Sequence, residues 1–416
     1  MQFRHERLPN GLDVIAEVSE AAHSASLGFF VKTGARDETD AISGVSHFLE
    51  HMVFKGTDQL SAAEINLRFD AMGASANAFT SEEDTVYYAA VLTEKQHDAV
   101  ALLAAMMRPA LRAEDFDTEK QVILEEIRMY DDQPPFGADD RCRAAYFGTH
   151  PLARSVLGTV ESIEALPVEA MREYHQRRYA PGNLVLAASG AVDFAALVES
   201  GRQLCGDWEP QPITSRKAAS PPAPLTAATM ELIPRQQAAL EYAVRMSAGP
   251  AEDDVDRFAA KLLAVVLGDD SGSRLYWDLV DSGDAEHAAC QHHDFLDAGV
   301  FVTQLSCEAD DTSSLLERIV GLYTDASRGL TTAEVDQARN KLLSRVVLAG
   351  ERPRQRLFTI GLEWAHLGRH RSVADDLATL DGLSRDDLHG VLTRWPLTET
   401  AATVLAGPLT DTRLTA

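Results

Sequence analysis

The hydrophobic positions in the first half of the chain follow two patterns. Short apolar-rich runs at 12–16 and 25–31 predict two β-strands. Over Val45–Met52 the apolar residues fall at positions i, i+3, i+4 and i+7, so this stretch predicts an amphipathic helix with a buried face. Ser43 is positioned to cap the start of that helix, and Gly56 to end it.

Two histidines and a glutamate lie on this predicted helix. His47 and His51 are four positions apart, so their imidazoles lie one above the other on one face and can reach a common point. This is a metal-ligand spacing. Glu50 places its carboxylate beside that point, where it can hold a water molecule. Two histidines on an amphipathic helix are more often ordinary core or surface groups, so a metal site needs a further ligand.

A third ligand is expected because catalytic zinc takes three protein ligands and leaves one position for water. A strongly helical run downstream contains Glu119 and Glu126, which are two helical turns apart. They share a face with Val122 and Ile123, whereas Glu125 points about 100° away. A carboxylate on an apolar face is costly without a cation. We therefore predict Glu126 as the third ligand and Glu119 as a carboxylate that orients a histidine or the water.

The sequence around these residues resembles the pitrilysin and insulinase group of zinc peptidases, which carry the inverted motif HxxEH. The stretch HFLEHMVFKGT, followed by the glutamate in EKQVILEE, carries this resemblance. LPNGLDVI, GFFVKTGARDE, NAFTSEEDTVYYA and HPLARSVLGTVESI fit the same family. In length the chain is most similar to the short, processing-peptidase-like bacterial members.

The resemblance implies a zinc-dependent endopeptidase that binds one Zn²⁺ per chain through His47, His51 and Glu126. The metal would acidify a water molecule toward neutral pH. Glu50 would be the catalytic residue: it would take a proton from the water during attack on a peptide carbonyl and deliver it to the leaving nitrogen.

A substrate-binding strand also follows from the resemblance. Residues 75–80 and 85–91 predict two strands around a polar turn. By resemblance, Asn77, Ala78 and Phe79 lie at a sheet edge beside the zinc and pair with the backbone of the peptide substrate. An edge strand without any ligand is the alternative.

The second half of the chain repeats the first half in plan. Residues 335–346 align with residues 116–127, and residues 397–409 align with residues 183–193. The repeat predicts an α+β fold of two homologous domains, each a mixed, mainly antiparallel sheet with helices packed on it.

Three segments describe the predicted domain organisation. Residues 1–208 form a zinc-bearing peptidase domain, 209–226 a Pro-rich linker, and 227–416 a homologous domain without the metal ligands. In the overlay, Ala338 and Arg345 stand where the first half has its two glutamates. The shared scaffold can therefore be built without the metal ligands, so their presence in the first half has a functional reason.

A departure from the family pattern lies in the second half. Members that act alone or as homodimers supply an arginine and, seven positions later, a tyrosine that bind substrate at the zinc. Here Ser273–Tyr276 matches the start of that stretch, but Val280 and His287 occupy the two positions. The resemblance therefore implies a heterodimer with an unlike family subunit that carries the pair, with a homodimer as the alternative. Arg274 and Tyr276 are candidate local substitutes.

A second group of metal-ligating residue types consists of His287, Cys290, His292 and His293. These residues could ligate a transition metal. The overlay places them where the first half has its Asn77 strand and turn, so we do not expect a second metal site.

Charge limits the class of partner. The chain of 416 residues has 38 Lys and Arg against 64 Asp and Glu, a formal net charge of −26. This charge argues against nucleic acid as a partner. A negative chamber would favour cationic peptides, but a generally acidic cytoplasmic surface is the simpler explanation.

Cysteine usage and hydropathy indicate a cytoplasmic location without a membrane anchor. The four cysteines form no CxxC pair, so reduced and buried thiols are expected. No apolar segment follows the first residues as in a secretory signal, and the longest apolar run is too short to span a bilayer.

These observations predict a zinc endopeptidase subunit that hydrolyses short or unfolded peptides in a chamber formed with a partner subunit. Two alternatives remain open. One is a non-catalytic scaffold or chaperone-like relative, against which the complete ligand set and Glu50 argue. The other is a maturation peptidase dedicated to one precursor.

Overall fold

Strands and helices alternate along the chain. The computed structural model describes residues 1–132, 137–212, 216, 225 and 227–410. The strands in this part are β1 (Gln2–Arg7), β2 (Asp13–Val18), β3 (Ser24–Val31), β4 (Ser75–Thr80), β5 (Thr85–Leu92), β6 (Leu184–Gly190), β7 (Thr229–Pro234), β8 (Glu241–Gly249), β9 (His287–Asp294), β10 (Gly299–Cys307) and β11 (Ala401–Gly407). The α-helices are α1 (Val45–Val53), α2 (Ala62–Met72), α3 (Gln96–Met106), α4 (Ala113–Asp132), α5 (Ala138–Phe147), α6 (Val160–Ala165), α7 (Val168–Arg178), α8 (Phe194–Cys205), α9 (Arg257–Gly268), α10 (Thr312–Arg328), α11 (Thr332–Gly350), α12 (Pro353–Leu367), α13 (Val373–Gly382) and α14 (Arg385–Arg394).

The first sheet has the strand order β1-β2-β6-β3-β5-β4. Strands β2 and β6 are parallel, and every other pair of neighbours is antiparallel. Strand β4 therefore lies at one edge, with its outer side unpaired within the sheet. Strand β1, at the other edge, was not predicted because its sequence, QFRHER, is almost entirely polar.

The second sheet repeats this plan with one strand fewer. Its order is β7-β11-β8-β10-β9, in which only β7 and β11 are parallel. Strand for strand it matches β2-β6-β3-β5-β4 of the first sheet. The predicted α+β class with two similar, mainly antiparallel sheets is confirmed.

The first sheet is covered on both faces. Adjacent residues of β3, Phe29 and Phe30, are both fully buried and point to opposite faces. Phe29 belongs to the core that also includes residues of α1 and α3, whereas Phe30 packs in a separate cluster with α12. Gly361 of α12 lies directly over the Phe30 ring, where an added Cβ would come within 2.3 Å of a ring carbon. Glycine is therefore needed for this close approach.

The chain forms two compact units that are not continuous in sequence. Unit 1 consists of residues 1–127, 154–216 and 347–372, and unit 2 consists of the remainder. The predicted halves, 1–208 and 227–416, differ from these units because 128–153 belongs to unit 2 and 347–372 to unit 1. Most of the predicted Pro-rich linker, 209–226, lies outside the described residues.

Within unit 1, a buried ion pair fixes the segment that comes from the second half. Arg356 of α12 donates to both carboxylate oxygens of Glu17, at 2.6 and 2.7 Å. His370 also contacts Glu17, at 2.8 Å. The two charged partners are almost completely buried, so each depends on the other for its electrostatic balance.

All four cysteines are free and buried, as predicted. In the part of the chain that the structure describes, no helix is both long and apolar enough to cross a bilayer.

Candidate metal centre

The helix that carries HxxEH begins at a buried acidic cap. Gly44, with φ at 87°, precedes α1. The carboxylate of Glu38 accepts hydrogen bonds from the backbone N–H groups of Gly44 and Ser46, both at 2.7 Å. Burial raises the pKa of Glu38 to about 8, against the effect of these hydrogen bonds. The prediction that Ser43 caps α1 is wrong. The carboxylate of Glu38, which lies outside the helix, instead satisfies free N–H groups at its start. Gly56 lies beyond the end of α1 and does not cap it.

Three potential ligand atoms converge between α1 and α4. The Nε2 atom of His47 lies 3.9 Å from Glu126 Oε1, and the Nε2 atom of His51 lies 3.8 Å from Glu126 Oε2. One ligand atom from each of the three residues lies within 4.8 Å of the others. Tetrahedral ligands about 2.0–2.1 Å from one zinc ion are about 3.3 Å apart. The two imidazole–carboxylate distances are therefore about half an ångström longer than this separation, so the side chains must draw closer to share an ion.

Glu119 contacts His51 at the ring nitrogen that does not face Glu126. The Nδ1 atom of His51 lies 2.9 Å from Glu119 Oε1. Where Glu119 accepts this hydrogen bond, a neutral His51 ring has its proton at Nδ1 and directs the lone pair of Nε2 toward Glu126. Lys55 forms an ion pair with the other oxygen of Glu119. This pair holds the buried carboxylate in place, directed at His51.

His47 has a different environment. Its Nδ1 atom is buried and has no hydrogen-bond partner among the described residues. Burial, followed by the nearby His51, lowers the pKa of His47 to about 3. The ring is therefore neutral at pH 7 and has a lone pair available for a metal ion. The donor set of two imidazoles and one carboxylate suits zinc.

Glu50 lies beside the ligands, on the side of strand β4. Its Oε2 atom accepts a hydrogen bond of 2.6 Å from the Thr80 hydroxyl. Burial raises the pKa of Glu50, and the Thr80 hydrogen bond opposes that effect. A carboxyl group with a raised pKa is better matched to proton transfer near neutral pH.

The face of α4 differs in one respect from the prediction. Glu125 is exposed and points away from the histidines, as expected. Ile123 is fully buried, but Val122 is 44% exposed. Val122 is therefore not on the buried face with the two glutamates. Glu119 and Glu126 are seven positions apart, so the helix periodicity turns both carboxylates toward α1.

Strand β4 places the three predicted substrate-binding residues at the sheet edge. Asn77 is exposed, and its side-chain oxygen accepts a hydrogen bond from the Ala78 N–H at 2.9 Å. This amide therefore points away from β5 and is available to an incoming strand once Asn77 moves. Phe79 has the same parity as Asn77 and lies on the face opposite to Ala78, with its ring 5.7 Å from that of Phe358.

Comparison with known proteins identifies the family. The family described as "Insulinase (Peptidase family M16)" matches residues 13–160, and the one described as "Peptidase M16 inactive domain" matches residues 165–342. An uncharacterized zinc protease of Mycobacterium bovis is 32% identical over 394 residues, which cover 93% of this chain and 89% of that protein. This chain belongs to the insulinase family, M16.

Two further similarities extend the comparison. A probable mitochondrial-processing peptidase subunit beta of Arabidopsis thaliana is 28% identical over 421 residues, covering 99% of this chain and 79% of that protein. The crystal structure of a protease from Helicobacter pylori superposes with a TM-score of 0.90 at 22% identity, covering 97% and 99% of the two chains. The last similarity concerns the fold alone. The predicted family resemblance is confirmed.

Unit 2 of this M16 protein has a different set of charges at the corresponding helices. Ala338 of α11 is buried in the core. Lys341 and Arg345, one turn apart on α11, both pair with Asp269 just after α9, at 2.8 and 2.6 Å. These contacts join the two helices without metal ligands.

Arg274 and Tyr276, the candidate substitutes for the missing arginine and tyrosine, both contact neighbouring side chains in unit 2. Arg274 donates to both oxygens of Glu334, at 2.6 and 3.2 Å. The Tyr276 ring packs at 5.0 Å from that of Trp277. Val280 packs against the core of unit 2, and His287 is exposed at the start of β9. His287, Cys290, His292 and His293 do not form a metal-ligating group in the described residues.

Sequence reasoning missed three residues of the M16 centre. Glu38 and Thr80 act from outside α1, so no helical spacing indicates them. Lys55 is four positions after His51, and this spacing could have placed it on the histidine face.

Proposed function

We propose that this chain is the zinc-bearing subunit of an endopeptidase that hydrolyses short or unfolded peptides. The observation that carries the proposal is the convergence of His47, His51 and Glu126, with Glu50 beside them. Relatives named zinc proteases support the metal and the reaction class.

The donor set fits one zinc ion per chain. His47 and His51 would hold it through Nε2, and Glu126 through its carboxylate, while Glu119 fixes the tautomer of His51. When bound, zinc supplies Lewis-acid chemistry that polarises a peptide carbonyl and acidifies water. The buried and unpaired Nδ1 of His47 is consistent with a ring held by coordination on its other side.

Glu50 is the proposed general base. Its carboxylate takes a proton from the attacking water and returns that proton to the amide nitrogen as the peptide bond breaks. Burial raises the pKa of Glu50, which makes its carboxylate a stronger base for the first of these transfers.

Strand β4 is the proposed substrate-binding element. The outward Ala78 N–H and the exposed edge of the sheet fit a peptide that adds as a further strand. Only an extended backbone can pair in this way, so short or unfolded peptides are the proposed substrates. The net charge of −26 adds a preference for cationic peptides.

The active assembly is proposed to be a heterodimer. Val280 and His287 occupy the positions at which the family resemblance implies an arginine and a tyrosine, and neither replaces them. The Arabidopsis thaliana relative is itself named as a subunit. An unlike family subunit would supply the missing pair and complete the chamber. We also propose a cytoplasmic location, which is supported by four buried free thiols.

Zinc content and peptide cleavage test the proposal together. The chain is stripped of metal, titrated with zinc against a chromophoric chelator, and incubated with a mixture of unstructured peptides that is analysed by mass spectrometry. We expect one zinc per chain, its loss in H47A, H51A and E126A, and its retention in the control E125Q. E50Q should bind zinc without cleaving any peptide.

The same assay, repeated after adding family subunits co-purified from the native cell, tests the partner. We expect slow cleavage by the isolated chain and a large increase with the companion. Rapid cleavage by the isolated chain would refute the heterodimer and favour a homodimer. Zinc binding without cleavage under any condition would instead support a scaffold. Cleavage at one site in one precursor would indicate a maturation peptidase.

A further inference from the structure

The hydroxyl of Thr80 joins the edge strand to the proposed general base. Thr80 is the last residue of β4 and donates its hydroxyl hydrogen to Glu50 Oε2 at 2.6 Å. Among the residues that the structure describes, it is the one hydrogen-bond donor to the Glu50 side chain. We propose that Thr80 is a positioning residue for Glu50, a role that rests on the proposed peptidase function.

Strand alternation explains why Thr80 reaches α1. Ala76 and Ala78 pack against the core that contains α1, and Phe79 packs against the opposite cluster with α12. Thr80 has the same parity as Ala76 and Ala78, so its side chain projects toward α1. The small alanines leave Thr80 as the polar group that the strand presents to Glu50.

Thr80 is itself held in place by the neighbouring strand. It is paired in register with Thr85 of β5, and the two hydroxyl oxygens are 3.5 Å apart. The Thr85 hydroxyl donates to the backbone oxygen of Thr33 at 3.0 Å. Because Thr80 pairs in register with the anchored Thr85, its position in the sheet is fixed, and its hydroxyl can orient Glu50.

This hydrogen bond gives the two carboxylate oxygens of Glu50 different roles. Thr80 occupies Oε2 of Glu50, which leaves Oε1 for the water that must lose a proton. The bond also fixes the side-chain torsions of Glu50, so the base is oriented before substrate arrives. Removing the donor leaves the carboxylate more basic, but a base that points away from the water gains nothing from greater basicity.

The bond also places the oriented base next to the proposed substrate strand. Thr80 follows directly after Asn77, Ala78 and Phe79 in the same strand. A peptide that pairs with β4 would therefore lie beside a carboxylate whose orientation is already set. The proposed role therefore affects turnover more than substrate affinity.

Hydroxamate binding tests the role without requiring a partner subunit. Acetohydroxamate chelates zinc through its oxygens and donates a hydrogen bond to an adjacent carboxylate. Its dissociation constant is measured by calorimetry on the zinc-loaded chain for wild type, T80V, T80S and E50Q. S75A is the control, because Ser75 is in β4 but does not contact Glu50. Zinc affinity is measured in parallel by chelator competition.

We expect T80V to weaken acetohydroxamate binding about tenfold, the scale of one hydrogen bond to a charged group. T80S should restore it to within about threefold, since the donor is retained. S75A should resemble wild type, and every variant should keep wild-type zinc affinity. T80V combined with E50Q should bind no more weakly than E50Q alone. With a cleaved peptide, T80V should lower kcat about tenfold and leave KM unchanged.

The outcomes separate the inference from the proposed function. A wild-type chain that binds no zinc, or binds hydroxamate independently of Glu50, refutes the peptidase proposal and the role of Thr80 with it. Wild-type binding that depends on Glu50 but is unchanged in T80V refutes the Thr80 role alone. Equal losses in T80V and T80S, or a loss in S75A, would attribute the effect to strand distortion and also refute it.

Discussion

Basic and acidic side chains alternate along the line where α1 meets α4. His47 and His51 lie four residues apart on α1, Lys55 follows four residues later just beyond the end of that helix, and Glu119 and Glu126 are seven positions apart on α4. Glu126 lies near both histidines, and Glu119 contacts His51 and Lys55. The two carboxylates therefore differ in their neighbours: Glu126 faces the candidate metal position, and Glu119 is placed to orient His51 under the proposed function.

Replacing Glu119 tests this division of roles. E119Q keeps the shape of the side chain but loses the charge that makes the His51 ring a stronger ligand. We expect the zinc affinity to fall about 10–100-fold, measured by chelator competition. E125Q on the exposed face of α4 is the control and should bind zinc like wild type. Unchanged affinity in E119Q would show that Glu119 does not orient the ligand.

Replacing Arg274 tests whether its ion pair is structural. Although burial opposes the effect, hydrogen bonds from Arg274 and Thr331 lower the pKa of Glu334 to about 2. R274A should therefore lower the free energy of unfolding at pH 7 by about 1 kcal/mol, a value reduced by solvent screening.

The pH dependence of the R274A effect follows from the same pKa. Glu334 contributes stability above its ordinary pKa of 4.5 and loses that contribution as the pH falls through about 2. The difference between wild type and R274A should thus be complete at pH 7 and smaller at pH 3.5, as measured by urea denaturation. A change in peptide cleavage without any change in stability would instead assign Arg274 to substrate.

At the scale of elements, the two sides of strand β4 have different surroundings. Its inner side pairs with β5, and its outer side is unpaired within the sheet. Edge strands usually avoid such exposure. In β4 the Asn77 side chain accepts a hydrogen bond from the outward Ala78 N–H. This bond satisfies an edge amide that would otherwise invite pairing with another chain, and under the proposed function a peptide substrate would replace it.

Replacing Ala78 with proline tests the outward side of β4. A78P removes an amide that makes no bond to β5, so the free energy of unfolding should change by less than about 1 kcal/mol. The substrate loses a backbone hydrogen bond, and KM should rise about tenfold. A78S keeps the amide and should show wild-type KM. If A78P cleaves peptides normally, substrate does not pair with this amide.

At the scale of the whole chain, each unit takes a segment from the opposite half of the sequence. Residues 347–372 include α12, which covers one face of the first sheet. Residues 128–153 include α5, which belongs to the core of unit 2 with Val244 and Val404. The repeat in the sequence is therefore not a repeat of independently folding halves.

Breaking the buried Arg356–Glu17 pair tests the importance of the exchanged segment. R356A leaves an uncompensated carboxylate in the interior, so we expect the free energy of unfolding to fall by about 3–5 kcal/mol. R354A, an exposed position on the same helix, is the control. Residues 1–208 expressed alone should aggregate, and co-expression with 209–416 should restore a folded complex. A soluble, cooperatively folded 1–208 would contradict this expectation.

The sequence by itself determined the elements whose pattern is local. Helical spacing placed His47 and His51 on one face, and the same periodicity chose Glu126 over Glu125. The family motifs and the internal repeat determined the α+β class with its two sheets. These inferences succeed because a helix or strand converts sequence spacing directly into direction in space.

Only the tertiary structure decided which distant groups complete these elements. Glu38 caps α1 and Thr80 contacts Glu50, although neither shares a helix with its partner. Strand β1 forms from a polar segment because β2 offers it an edge, and α12 covers a sheet built largely from the other half. The contacts of Thr80 and α12 depend on packing across long sequence separations, whereas those of Glu38 and β1 are closer in sequence but cross a turn or loop, so none of them leaves a periodic trace in the sequence.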